Sequence, residues 1–123
     1  MQNDNPKFKK EFKKRVYHFI LKLIKFVDNL TKDGSSRIIG DQLLRSGTSI
    51  GANYIEAQAA SSRKDFTNFF NHSLKSANES KFWLALLRDS GKAEAKNVEM
   101  LLQELTEISN VLASSILTLK GKK

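Results

Sequence analysis

Residues 43–57, LLRSGTSIGANYIEA, gather the side chains of this chain that look most like chemistry. Gly47 and Gly51 stand four apart, with Ser46, Thr48 and Ser49 among them. Such a run could cradle a phosphate or present a nucleophile. A phosphate loop needs a glycine-rich run after a strand, and usually a Lys-Ser/Thr pair. Neither is present. The GTSIG run also lacks the strand–turn–helix setting of a nucleophile elbow. No residue close in sequence looks like an activating base for Ser46, Thr48 or Ser49, so all three are read as small packing residues. His18 and His72 have no partner at metal-ligand spacing and are read as surface residues. Glu56 and Glu79 could form a carboxylate pair for acid–base work, but no nucleophile or metal ligand joins them. Structural ion pairing is the better reading. The chain has no cysteine, hence no disulfide framework and no thiolate metal site. These residues together predict a protein that is not an enzyme and has no metal and no cofactor.

The opening stretch must be positioned by helices. A chain of 123 residues suits a single domain, 1–123, with enough buried surface for one core. Four segments of similar length show apolar residues spaced by threes and fours, and none alternates as a half-buried strand would. The first helix is expected at roughly 7–32, with Phe12, Val16, Phe19, Leu23 and Val27 on its stripe and Pro6 at its first turn. The second is expected at 36–61, with Leu43, Ile50 and Tyr54. The third, at 65–90, follows the SRKD run from Ser62, which resembles a capping box, and ends before Gly91. The fourth is expected at 93–119, with Val98, Leu105, Ile108 and Leu112. Short connections between helices of matched length imply an all-α, antiparallel up-down-up-down four-helix bundle. The run Val16–Leu21 is too short for a secretory core or a membrane span. A cytoplasmic, reducing setting without membrane contact is therefore expected.

Placing Gly47 and Gly51 inside the second helix costs roughly 1 kcal/mol each relative to alanine. Close approach of a neighbouring helix would offset that cost. At about 100° per residue, Arg45, Ser49, Ala52 and Glu56 lie opposite Leu43, Gly47, Ile50 and Tyr54. This back face is small and sparsely charged. On the third helix Phe82, Trp83 and Leu86 fall off the main stripe. A second apolar face points to cover by another subunit.

The stretch LLRSGTSIGANYIEAQAASSRKDF, followed by LKSANESKFWLALL, resembles the four-helix-bundle proteins named after the intervening sequence of 23S ribosomal RNA. The resemblance spans about residues 8–119. Its specific core is Leu44-Arg45-Ser46, Ser49-Ile50, Asn53, Glu56-Ala57, Arg63-Lys64-Asp65-Phe66, Ala77 and Glu79. The resemblance implies antiparallel bundles assembled into ring-like homopentamers, with no enzymatic activity. A related branch is similar to the accessory protein of diversity-generating retroelements, a basic pentameric barrel associated with a reverse transcriptase and nucleic acid. That branch carries EGxGR after the helix-two glutamate, where this chain has Glu56-Ala57-Gln58-Ala59.

The formal charge of +8 favours acidic partners. Residues 1–32 hold nine Lys/Arg against three Asp/Glu, net +6 of that excess. On a helical wheel Lys7, Lys14, His18, Lys25 and Lys32 share a face, with Lys10 and Lys22 beside it. Repeated around a ring, such stripes would attract RNA or DNA through backbone phosphates, without base readout. The alternative is a protein–protein adaptor that docks a nucleic-acid-associated partner such as a reverse transcriptase. Arg45 is expected to pair with Glu79, in the same chain or across a subunit contact. Glu56 could reach Arg45 only from a neighbouring subunit.

Overall fold

The computed structural model describes residues 6–121, and within them all regular structure is helical. The helices are α1 (Pro6–Asp28), α2 (Gly34–Gln58), α3 (Arg63–Asp89) and α4 (Ala95–Leu119). Connections of four or five residues join them, so each reverses direction against the one before. α1 packs on α2 and α4, and α3 packs on α2 and α4. The result is the antiparallel four-helix bundle that the periodicity predicts.

Local punctuation explains the boundaries. The Ser62 hydroxyl accepts from the Asp65 backbone N–H at 3.1 Å, capping α3. Gly91 adopts φ +75 just past the end of α3, the left-handed conformation that glycine tolerates without strain. The first boundary differs from the expected one. α1 stops at Asp28, four residues before residue 32. Asp33 takes the N-cap of α2, accepting from the Ser36 N–H and from the Thr31 and Ser35 hydroxyls. These bonds fix the chain in a turn where lysine alone would have extended the helix. Lys32 therefore lies in the connection and donates to the Asp28 carbonyl at 3.2 Å.

The core is mostly aliphatic, with Phe12, Phe19, Tyr54 and Phe70 as its buried aromatic members. Phe19, Leu23, Leu43, Ile50, Leu84, Leu87, Leu105, Ile108 and Leu112 are all fully buried. Two seams bring helices unusually close. Along α1–α2, a Cβ added at Gly47 would collide with a methyl of Leu23, and one at Gly51 would stand 2.8 Å from Ile20 Cδ1. Each glycine thus leaves room for a side chain of α1. Along α2–α3, hydroxyls meet directly. Ser46 and Ser80 lie 2.7 Å apart, Ser76 donates to Ser49 at 3.0 Å, and Ser73 donates to the Ile50 carbonyl at 2.8 Å. Buried hydroxyls of this kind must be paired to be tolerated, and these are.

At the end of the bundle that holds both outer connections, Lys92 pairs with Asp33 at 3.0 Å. Bonds from Thr31, then Lys92, Ser36 and Ser35, hold the Asp33 carboxyl far below the ordinary carboxylate range. No helix among the described residues is long and apolar enough to cross a membrane.

Candidate nucleic-acid interface and assembly surface

The basic surface begins with the amphipathic pattern of α1. Its core stripe, Phe12, Val16, Phe19 and Leu23, fixes which way the helix faces. Lys7, Lys10, Lys14, His18, Lys22 and Lys25 are consequently exposed. Among the described residues, no carboxylate lies within ion-pair distance of Lys10, Lys14, Lys22 or Lys25. Lys32, expected on the same helical face, sits beyond the end of α1, in the connection to α2, and is not part of the helical stripe.

The two ends of the stripe differ electrostatically. Lys22 and Lys25 line an open groove of about 460 Å³ between α1 and α4, and Glu104 and Glu107 line its other side. Arg15 crosses between these helices. Its Nε donates to Glu104 Oε2 at 2.8 Å, its Nη2 to Glu104 Oε1 at 3.1 Å, and Nη2 also reaches Glu107. These bonds hold the Glu104 carboxyl below its usual range, with Lys22 adding a smaller electrostatic pull in the same direction. Lys22 and Lys25 therefore act in a partly neutralised field. The groove that Lys10, Lys13 and Lys14 line has no carboxylate in its lining among the described residues.

Sequence reasoning missed Arg15. It stands on the flank between stripe and core, one of nine basic residues within residues 1–32. The signal that could have singled it out is the pair Glu104 and Glu107, three apart on α4 and on one side of that helix.

His18 and His72 are exposed, each set against an aromatic neighbour, Tyr17 and Phe69. Glu56 is exposed on the back of α2. Ser46 is buried in the α2–α3 seam, Ser49 lies in the same seam, and Thr48 donates back to the Leu44 and Arg45 carbonyls of its own helix.

Arg45 and Glu79 do not pair within one protomer. Arg45 Nη2 donates to Gln42 Oε1 at 2.9 Å, and Glu79 accepts from the Trp83 indole N–H at 2.9 Å. The reason is rotational. Ser46 and Ser80 face each other, so Arg45 and Glu79, one residue before each, are turned about 100° away from that contact. Both are exposed, and each finds a partner on its own helix.

Phe82 is 58% exposed and Leu86 37%, while Trp83 is half-buried and stands edge-on to Phe82 at 5.0 Å. Ile38 on α2 is 67% exposed. The register of the serine seam places Ile38 at the level of the last turns of α3. The outer α2–α3 face thus carries large apolar side chains that one protomer leaves in water.

Residues 9–114 match the family described as the 23S rRNA-intervening sequence protein. A solved structure from Bacteroides thetaiotaomicron, described as a protein of unknown function from the S23 ribosomal protein family, is similar at 39% identity. The match covers 85% of this chain and 97% of that one, with a TM-score of 0.78. No curated protein matches.

Proposed function

The chain belongs to the 23S rRNA-intervening sequence protein family, and we propose that within it this protein acts as a non-enzymatic, ring-forming homo-oligomer, most simply a pentamer, that holds RNA or DNA by its backbone phosphates. The observation that carries the reading is the exposed lysine stripe on α1, Lys7, Lys10, Lys14 and Lys25, on a chain of net charge +8. Lysine offers a point charge with three donors and no planar fork, so it suits phosphate oxygens rather than base edges. Summed over several subunits, these charges create a field strong enough to concentrate a polyanion.

The exposed apolar side chains on the outer α2–α3 face support self-assembly. A ring needs two different surface patches that fit one another head to tail. The small back face of α2, around Ala52, and the Phe82–Leu86 region of α3 are the two halves of that proposal. A cytoplasmic location fits the proposed ligand. The test is to measure binding of mixed-sequence RNA and DNA as salt is raised. Affinity should fall linearly on a log–log scale for both, with little sequence preference. Binding that ignores salt would overturn the reading.

A second reading, an adaptor for a nucleic-acid-associated protein such as a reverse transcriptase, is favoured by one feature, an apolar groove between α1 and α2.

A further inference from the structure

Between α1 and α2 lies an open groove of about 510 Å³ whose exposed lining is almost entirely carbon. Gly51 and Ala52 line it from α2 with nothing larger than a methyl group. Tyr17 and Ile55, 63% and 45% exposed, form its walls. Lys10, Lys13 and Lys14 stand along one edge only, all from α1. Thr48, which also lines the groove, already donates its hydroxyl to two carbonyls of its own helix.

We propose that this groove docks an amphipathic helix of a protein partner, with a leucine-type apolar face and an acidic flank. Three features argue for that occupant. First, the α1 residues that line the groove run from 10 to 20, about 15 Å along the axis, or roughly three helical turns. That length accommodates side chains at i, i+3 or i+4, and i+7, the pattern by which a helix fills a groove between two others. Second, the lining offers little to pair with the edges of a nucleobase, so burying bases there would strand their polar groups. Aliphatic side chains lose nothing in the same place. Third, the three lysines of the rim have no carboxylate within ion-pair distance among the described residues, and they complement a row of Asp or Glu on one side of the docked helix. The inference deepens the adaptor reading. The groove shares Ala52 with the α2 back face proposed for self-assembly, and Lys10 and Lys14 with the phosphate-binding stripe, so particle mass and oligonucleotide binding are measured beside peptide binding.

The probe is a fluorescent peptide about five turns long, with leucines at helical spacing and glutamates flanking them on one side. Controls are a scrambled peptide of equal composition and a version with lysine in place of glutamate. Full-length protein should bind the first peptide and neither control. Ile55→Asp and, separately, Tyr17→Asp should each weaken that binding roughly tenfold or more, as truncating a central anchor does. Both positions are exposed, and circular dichroism verifies the fold. The triple change of Lys10, Lys13 and Lys14 to Glu should reject the acidic peptide and accept the lysine one. Equal binding of the scrambled peptide, or unchanged binding by both Asp variants, would overturn the proposal. A fall in particle mass with Ile55→Asp would overturn it in favour of a second copy of this chain. An equal loss of oligonucleotide binding with Ile55→Asp would overturn it in favour of nucleic acid. Loss of salt-dependent nucleic-acid binding upon lysine neutralisation, with peptide binding retained in Lys7 and Lys25 variants, would separate this site from the phosphate surface.

Discussion

Arg15 of α1 grips Glu104 of α4 with two hydrogen bonds, Nε to Oε2 at 2.8 Å and Nη2 to Oε1 at 3.1 Å. The pair bridges two helices that otherwise face each other across an open groove.

Arg15→Met should lower stability by about 1 kcal/mol, because both side chains are about a third exposed and solvent screens the pair. The effect should depend on pH. Glu104 titrates below its ordinary value of 4.5 when folded. The pair therefore contributes fully above that value, and the contribution is lost as pH falls through the lower folded pKa. Denaturant midpoints of parent and Met variant should differ at pH 7 and converge as pH falls below the folded pKa of Glu104. A constant difference across that range would mean that the methylene stem, not the charge, does the stabilising.

Gly47→Ala and Gly51→Ala should part company. Alanine gains roughly 1 kcal/mol in helix propensity at either site. At Gly47 the new methyl meets Leu23, itself fully buried and unable to retreat. Overpacking of about 1–3 kcal/mol should outweigh the gain and destabilise the protein. At Gly51 the obstacle is the terminal methyl of the half-buried Ile20, which can turn aside. That variant should be near neutral, whereas Gly51→Leu should be destabilising. Thermal or chemical denaturation of the three variants checks the order.

Light scattering at micromolar concentration should give a multiple of the 13.9 kDa chain mass, with five as the expected multiple. Phe82→Asp should shift it towards one. Arg45→Met and Glu79→Gln should each cost below about 0.5 kcal/mol in a dissociated protomer, where both side chains are exposed. Coupling between them should emerge only in the assembled particle, if the pair forms between subunits. A monomeric parent would refute assembly.

The parts of this fold that are legible in the sequence are those governed by local rules. Periods of three and four mark four helices, Ser62 and Asp65 mark the start of α3, and Gly91 marks its end. The end of α1 is not legible, because nothing before Gly34 breaks a helix; the turn depends on the Asp33 side chain choosing three nearby donors over solvent. The serine seam is half visible. Ser46 and Ser49 read as small packing residues, but nothing in the sequence connects them to Ser73, Ser76 and Ser80, spaced by three and four on α3. The Arg15–Glu104 bridge joins residues 89 apart, a separation that no local pattern encodes. Counting residues from the α2–α3 turn sets Arg45 and Glu79 at one level but not at one azimuth, since a single residue's rotation turns both away from the seam.

That the α1 lysines hold nucleic acid by its phosphates is tested most directly by the slope of log affinity against log salt. Mixed-sequence RNA and DNA would be measured with the parent and with a variant carrying Lys7→Gln, Lys10→Gln, Lys14→Gln and Lys25→Gln. Removing one phosphate contact should flatten the slope by about 0.7 to 0.9. The expected result is a weaker and distinctly shallower line for the variant, with helicity and particle mass unchanged. Parallel lines of equal affinity would contradict it and remove α1 as the nucleic-acid surface.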